Sequence, residues 1–106
     1  MKMILPCEIM NKFILPAIRA YIAKELKKQG FNQKSVANIL GVTQPVISKY
    51  LSSKYDNRIK KLIKNQKIKE VSNEIVKMVI KGADKSEINK IIIKMSARLA
   101  KDFELR

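Results

Sequence analysis

The chain has 106 residues, no histidine and one cysteine, and its 23 lysines and arginines against 9 acids give a net charge of +14. Without histidine the sequence provides neither a His-ligated zinc site nor a histidine-dependent nucleophile, and one cysteine forms no intrachain disulfide. We therefore expect no enzyme activity, no metal site and no cofactor. The positive charge favours a polyanionic partner, nucleic acid first and an anionic membrane surface second.

Apolar residues recur at spacings of three and four, which predicts an all-α protein. The first predicted helix covers residues 16–29 and ends at Gly30. Pro16 fits either an early position in this helix or a kink in a helix that begins near Pro6. The predicted apolar face of this helix consists of Ala17, Ile18, Tyr21, Ile22 and Leu26.

The next segment predicts two short helices joined by three residues. Asn32 is placed to cap a helix over residues 33–40, which Gly41 ends. Thr43 is placed to cap the second helix, which runs to about Ser52. Two short helices with so brief a connection are typical of a helix-turn-helix.

The same segment meets the packing requirements of a helix-turn-helix. Ala37 supplies a small residue where the helices meet, and Gly41 supplies a residue that tolerates a positive φ in the turn. We interpret Tyr50 as a core residue rather than a base-stacking one. The apolar residues predicted to fill the angle between the helices are Val36, Leu40, Val42, Ile47 and Tyr50.

The second half of the chain predicts a break followed by a helical hairpin. An apolar stripe over residues 59–63 goes out of phase near Asn65, and helices are predicted over 67–81 and 85–104. The first hairpin helix carries the apolar stripe Ile68, Val71, Ile75, Met78 and Val79. The second carries Ile88, Ile91, Ile92, Met95, Leu99 and Phe103.

We predict a helix-turn-helix domain over residues 1–56 and a helical extension over 57–106. The hairpin either packs back on residues 8–29 or pairs with the same helices of a second subunit, and we favour a homodimer through residues 67–104. The lysines between residues 60 and 69 belong either to a solvated linker or to an extended DNA contact. Cys7 is interpreted as a buried small hydrophobe.

The segment 33–51 resembles the Xre/Cro-type helix-turn-helix of phage repressors and many small regulators. It is more closely similar to a set of predicted archaeal transcription regulators, which carry Pro-Cys-Glu-Ile-like, Leu-Pro-Ala-Ile-Arg, Ala-Lys-Glu-Leu and Ile-Leu-Gly-Val-Thr-Gln-x-x-Val/Ile-Ser-x-Tyr-Leu stretches. Many of those relatives have a Gly-Lys-Arg-Gly turn where this chain reads Ser53-Lys54-Tyr55-Asp56. The four matching stretches lie at residues 6–9, 15–19, 23–26 and 39–51, and the resemblance covers about residues 5–54.

The resemblance implies a Cro/repressor-like fold whose helix 43–52 enters the major groove of double-stranded DNA. Gln44 would bond adenine, and its alternative roles are helix capping or a phosphate contact. Lys49 would bond guanine or a phosphate, and Pro45 would touch a thymine methyl. The implied base-reading residues are Gln44, Pro45, Ser48 and Lys49. The implied phosphate contacts are Gln33, Lys34, Thr43, Ser52, Lys54 and Arg58.

No stretch approaches the roughly twenty apolar residues of a membrane span, and none has the pattern of a secretion signal. We therefore expect a cytoplasmic, nucleoid-associated protein without a membrane partner. Its predicted function is that of a sequence-specific, dimeric DNA-binding transcription regulator. The alternatives are an architectural chromatin protein of low sequence specificity and an antitoxin-like DNA-binding partner of another protein.

Overall fold

The computed structural model describes residues 6–104, and the side chains of residues 8–102. The predicted burial of Cys7 and the predicted apolar role of Phe103 lie outside the described side chains. The described part of the chain is all-α, which confirms the predicted class at that level. No helix in this part is long and apolar enough to cross a membrane. In chain order the elements are α1 (Pro6–Ile9), a π-helical segment (Met10–Ile14), α2 (Leu15–Lys28), α3 (Gln33–Leu40), α4 (Gln44–Leu51), α5 (Asn57–Ile63), α6 (Gln66–Ile80) and α7 (Lys85–Glu104).

The first helix begins earlier than the predicted residue 16, because α1, the π-helical segment and α2 run on without a break. The Leu15 N–H donates to the carbonyl of Met10, five residues earlier. Pro16 follows this wider turn directly. Proline has no N–H, and its ring crowds the carbonyl four residues before it in a regular α-helix. The π-helical turn is therefore the local distortion that lets one helix pass through Pro16, the second of its two predicted placements.

Local capping bonds set most of the helix ends, as the sequence predicts. Asn32 accepts a hydrogen bond from the Ser35 N–H at 2.8 Å, and Gly41 ends α3 with a φ of 68°. The break predicted near Asn65 is confirmed, since its side chain caps α6 by accepting two first-turn N–H groups at 2.9 and 3.3 Å. Thr43 occupies the N-cap position of α4 with an extended backbone, although its side chain makes no capping bond.

The core surrounds α2, which contacts α3, α4, α5, α6 and α7. Three small residues of α2, Ala17, Ala20 and Ala23, are fully buried and allow close approach of its neighbours. From α6 the fully buried Ile68 and Ser72 join the same core. Residues from both sides of the predicted boundary at 56/57 thus pack together, and the hairpin helices lie against the first helix within one chain.

The faces that α6 and α7 bury differ in part from the predicted apolar stripes. On α6 the buried residues include Ser72 and Val76, and on α7 they include Ser96 and Ala100. Four residues of the predicted stripes remain only half-buried at the seam between α6 and α7: Val71, Met78, Ile91 and Met95. The hairpin therefore keeps an apolar seam that the described part of the chain does not cover.

Candidate nucleic-acid interface

The turn between α3 and α4 is built on a left-handed glycine. Gly41 has a φ of 68°, and the following Val42 N–H donates to the Ala37 carbonyl at 3.0 Å. This bond is the one expected when a helix ends in a Schellman motif. A Cβ on Gly41 would meet only Asn89 Oδ1 at 3.8 Å, an ordinary contact. The turn therefore requires glycine for its backbone conformation rather than for space.

The inner faces of α3 and α4 are apolar and fixed on the core. Val36 and Leu40 of α3 and Ile47 of α4 are fully buried, and Tyr50 is 9% exposed. These residues were predicted to fill the angle between the two helices, and Tyr50 lies in the core as expected; Val42 is only half-buried. Both helices also contact α2. The side of α4 that faces away from this core is consequently held in one orientation.

The outer face of α4, which we define as Gln44, Pro45, Ser48 and Lys49, is exposed along its whole length. These positions recur at the spacing of one helix side. Thr43 and Ser52 are exposed at its two ends, and the Ser52 hydroxyl donates to the Ser48 carbonyl at 2.9 Å. The four predicted base-reading residues are therefore together on one accessible surface.

The stretch of chain that contains α3 and α4 carries positively charged residues and no acidic ones. No aspartate or glutamate occurs between Glu25 and Asp56, whereas that stretch contains five lysines. Three of them, Lys34, Lys49 and Lys54, are exposed on or beside α3 and α4. The absence of carboxylates from both helices removes local repulsion against a polyanion such as a phosphate backbone.

The predicted phosphate contacts fall into two groups. Lys34 is exposed and Gln33 is half-buried in the first turn of α3, and Lys54 is exposed just beyond α4. Arg58 instead lies on α5, which contacts neither α3 nor α4. Its guanidinium lies 5.0 Å from the centroid of the Phe13 ring, and its Nε is 3.6 Å from Asp56 Oδ1. Arg58 therefore lies on a different helix from the predicted contact residues of α3 and α4.

The loop after α4 is held by a lysine that the sequence pattern did not single out. Lys24 Nζ donates to Ser53 Oγ at 2.9 Å and to the Tyr55 hydroxyl at 2.7 Å. Ser53 has a φ of 58°, which is unfavourable for a residue with a side chain. The two Lys24 bonds fix the loop in this conformation. Ser53 stands at the first position of the turn where the resembling regulators have glycine, and that replacement was the sequence-level sign of an unusual turn.

Tyr50, near the C-terminal end of α4, lies close to Arg19 of α2. Burial raises the pKa of the Tyr50 hydroxyl, and the positive charge of the Arg19 guanidinium partly offsets that rise. The rings of Tyr50 and Tyr55 lie 6.5 Å apart in a tilted arrangement. The contacts of Tyr50 with Tyr55 and Arg19 therefore help to hold the C-terminal end of α4 in place.

The start of α7 braces the end of α3. Asn89 Nδ2 donates to the Ile39 carbonyl at 2.8 Å and to the Lys85 carbonyl at 2.7 Å. Lys85 Nζ donates to Asn38 Oδ1 at 3.0 Å. Sequence reasoning missed this brace because about fifty residues separate its partners and no local pattern marks an asparagine for such a contact.

Among the described side chains, no group of three histidine, cysteine, aspartate or glutamate residues is placed to hold a metal ion. Comparisons with protein-family models, with curated proteins and with solved structures find no match to this chain.

Proposed function

We propose that this protein is a DNA-binding transcription regulator in which α3 and α4 form a helix-turn-helix of the Xre/Cro type, related to the archaeal regulators that it resembles. In this proposal α4 enters the major groove of double-stranded DNA. The protein acts as a homodimer in the cytoplasm, where it occupies a promoter-proximal site and blocks or assists the polymerase. It performs no catalysis.

One observation carries the proposal: α4 combines a buried apolar inner face with an exposed polar outer face inside a carboxylate-free stretch of chain. A purely structural helix needs the inner face but does not require an exposed Gln44, Ser48 and Lys49 in a stretch of chain that has no acidic residue. An α-helix with its side chains is about 10–12 Å across, and the major groove is about 12 Å wide. The outer face of α4 therefore has the size and chemistry to enter that groove.

Individual residues take distinct roles in this proposal. Gln44, in the first turn of α4, has an amide that can bond the N6 and N7 edge of adenine, and Lys49 can bond guanine or a phosphate. Thr43, Ser52, Gln33, Lys34 and Lys54 surround this face and would hold the phosphate backbone. Arg58, whose side chain is 70% exposed on α5, is the remaining phosphate contact in this proposal.

The test is selection of bound sequences from a random duplex pool at about 0.15 M salt, where nonspecific contacts weaken. A palindromic motif with half-sites about one turn apart is the expected result for a dimeric regulator. Tight binding without any enriched motif would refute sequence-specific regulation and favour the architectural alternative. No binding at all would refute the DNA interface, and a search for a protein partner of the antitoxin kind would follow.

Two variants, with a matched control, separate base reading from general charge. Gln44→Ala should lose about 1–3 kcal/mol of discrimination at one or two base positions. Lys49→Gln should lower affinity and reduce the dependence of log K on log salt by about one unit if it contacts phosphate. Lys101→Gln removes the same charge from an exposed position about 24 Å along α7 from Lys85. A control that weakened binding as much as Lys49→Gln would show that only net charge matters.

A further inference from the structure

An open cavity of about 350 Å³ lies where α2 meets the C-terminal ends of α4 and α5. Its walls include Tyr21 of α2, Leu51 of α4 and Ile63 of α5, and all three are half-buried. Ligand sites in proteins are mostly apolar clefts of about 300–1,000 Å³, so this cavity is at the lower end of that range. If each non-hydrogen atom takes the ~30 Å³ of a water molecule in the liquid, the cavity holds about a dozen of them.

The charged side chains that line this cavity are three lysines and one glutamate, all from α2. Glu25 pairs with Lys28 at 3.4 Å. Lys24 and Lys27 have no carboxylate within 4.0 Å among the described residues. Two positive charges therefore remain without an acidic partner beside apolar walls, and they attract an anion to the cavity.

Lys24 is the polar group that is placed to orient a ligand. Its partly buried ammonium donates to two neutral oxygens, Ser53 Oγ at 2.9 Å and the Tyr55 hydroxyl at 2.7 Å, and makes no third bond within the described part of the chain. An ammonium has three donors, so one of them is left for a ligand. A carboxylate on that donor adds the attraction between opposite charges, which the two hydroxyls do not supply.

We propose that this cavity binds a small anionic amphiphile, a carboxylate with an apolar body of up to about nine carbon atoms. The carboxylate accepts a hydrogen bond from Lys24 Nζ, and Lys27 adds positive charge at the rim. The apolar body lies against Leu51, Ile63 and the ring of Tyr21. A neutral ligand would cover these walls but leave the ammonium without an anion, whereas an inorganic anion would leave the walls exposed to water.

The same ammonium holds the loop after α4, so a ligand on Lys24 acts on that loop. Ser53 keeps its φ of 58° with the Lys24 bond in place. A carboxylate on the third donor favours the loop conformation in which Lys24 is already positioned for it. Lys54, a proposed phosphate contact, belongs to this loop. The inference therefore adds an effector site to the proposed function, but its test requires no DNA.

Titration of the full-length protein with octanoate, followed by the amide signals in nuclear magnetic resonance, tests the site. We expect shifts at Leu51, at Ile63 and in the loop over residues 52–55. The dissociation constant should be in the millimolar range, because a ligand this small has few atoms that contribute to binding. Octanamide has the same body without the charge, and acetate has the charge without the body. Both should bind about tenfold more weakly or worse.

Three variants separate the site from general charge attraction. Lys24→Met should weaken octanoate binding by about tenfold or more, since it removes the charged donor. Lys60→Met makes the same replacement at an exposed position of α5 that does not line the cavity, and should leave binding unchanged. Ile63→Glu leaves Lys24 in place but puts a carboxylate in the cavity, so it should also block the probe. Far-ultraviolet circular dichroism checks the fold of each variant.

The outcomes distinguish this inference from the proposed function. Octanamide that binds as tightly as octanoate, or Lys60→Met that weakens binding as much as Lys24→Met, would overturn the inference. Wild-type signals that stay unshifted up to about 20 mM octanoate would overturn it as well. A chain that binds octanoate at Lys24 but binds no DNA would overturn the proposed function alone, whereas a chain that binds DNA but not octanoate would overturn only the ligand site.

Discussion

The bond from Asn89 to the Ile39 carbonyl is the contact by which α7 holds the end of α3, and Asn89→Ala removes it. The bond is 2.8 Å long and partly buried, and its loss leaves a carbonyl without this donor. A hydrogen bond of this kind contributes about 0.5–1.5 kcal/mol net, and an unsatisfied partner raises the cost to about 1–3 kcal/mol. The second bond, to Lys85, stays within α7 and is exposed, so it adds little.

Alanine also favours helix more than asparagine does, by up to about 0.7 kcal/mol, which offsets part of the loss. Asn38→Ala supplies the control, because it makes the same replacement within α3 and removes only the exposed bond from Lys85. We expect Asn89→Ala to be less stable than Asn38→Ala by about 1–2 kcal/mol. This difference corresponds to about 4–8 °C in Tm for each kcal/mol in a domain of this size.

Urea denaturation followed by circular dichroism measures this difference, and the shape of the transition tests the shared core. One cooperative transition is expected in both variants, since α2 packs against every helix from α3 to α7. A difference under about 0.5 kcal/mol would mean that the brace contributes nothing, and two separate transitions would show that α6 and α7 unfold independently of the rest.

Three further predictions concern single positions. Gly41→Ala should cost about 1–2 kcal/mol in urea denaturation because of its φ alone, and Gly41→Asn should cost less, since asparagine tolerates that conformation. Ser72→Ala should be neutral or stabilising in the same assay, because the fully buried Ser72 hydroxyl has no hydrogen-bond partner among the described residues. The control Ser96→Ala removes a 2.7 Å bond and should destabilise. Burial raises the pKa of the Tyr50 hydroxyl above its ordinary value of 10.0. The contribution of the neutral hydroxyl to the free energy of unfolding is therefore complete below pH 10 and is lost as the pH rises through the raised pKa. Above pH 10 the wild type should lose stability faster than Tyr50→Phe.

The parts of the fold that sequence reasoning predicted well are those with local causes. Asn32, Gly41 and Asn65 act through the backbone within four residues of themselves, so their positions predict the ends of α3 and the start of α6. The continuous helix through Pro16 was harder to predict, because a π-helical turn leaves no composition signature. The predicted faces of α6 and α7 left out Ser72 and Ser96 because serine is polar in any hydropathy pattern, although both residues are fully buried.

The candidate interface also has residues whose positions a local sequence pattern predicts and residues whose contacts it does not predict. The exposure of Gln44, Ser48 and Lys49 follows from helix periodicity once Ile47 and Tyr50 are assigned to the core, and the structure has these residues where the pattern predicts. Arg58 was grouped with them only by the resemblance and by its charge. Its guanidinium also lies over the ring of Phe13, a residue 45 positions earlier in the sequence, and long-range contacts of this kind have no local sequence pattern.

Three sides of α7 make different contacts, which leads to a last prediction. Ile92 faces the core, Met95 lies at the seam with α6, and Asn89 holds α3 just before the turn into α4. If the second copy of the proposed homodimer contacts α7, its position is transmitted to α4 through this helix and its bond to α3. Asn89→Ala should therefore leave dimerisation unchanged but reduce the preference for one half-site spacing over spacings longer or shorter by one or two base pairs. Binding to duplexes of varied spacing measures this preference, and a variant that discriminates spacing as sharply as the wild type would show that the orientation of α4 is fixed by α2 and not by α7.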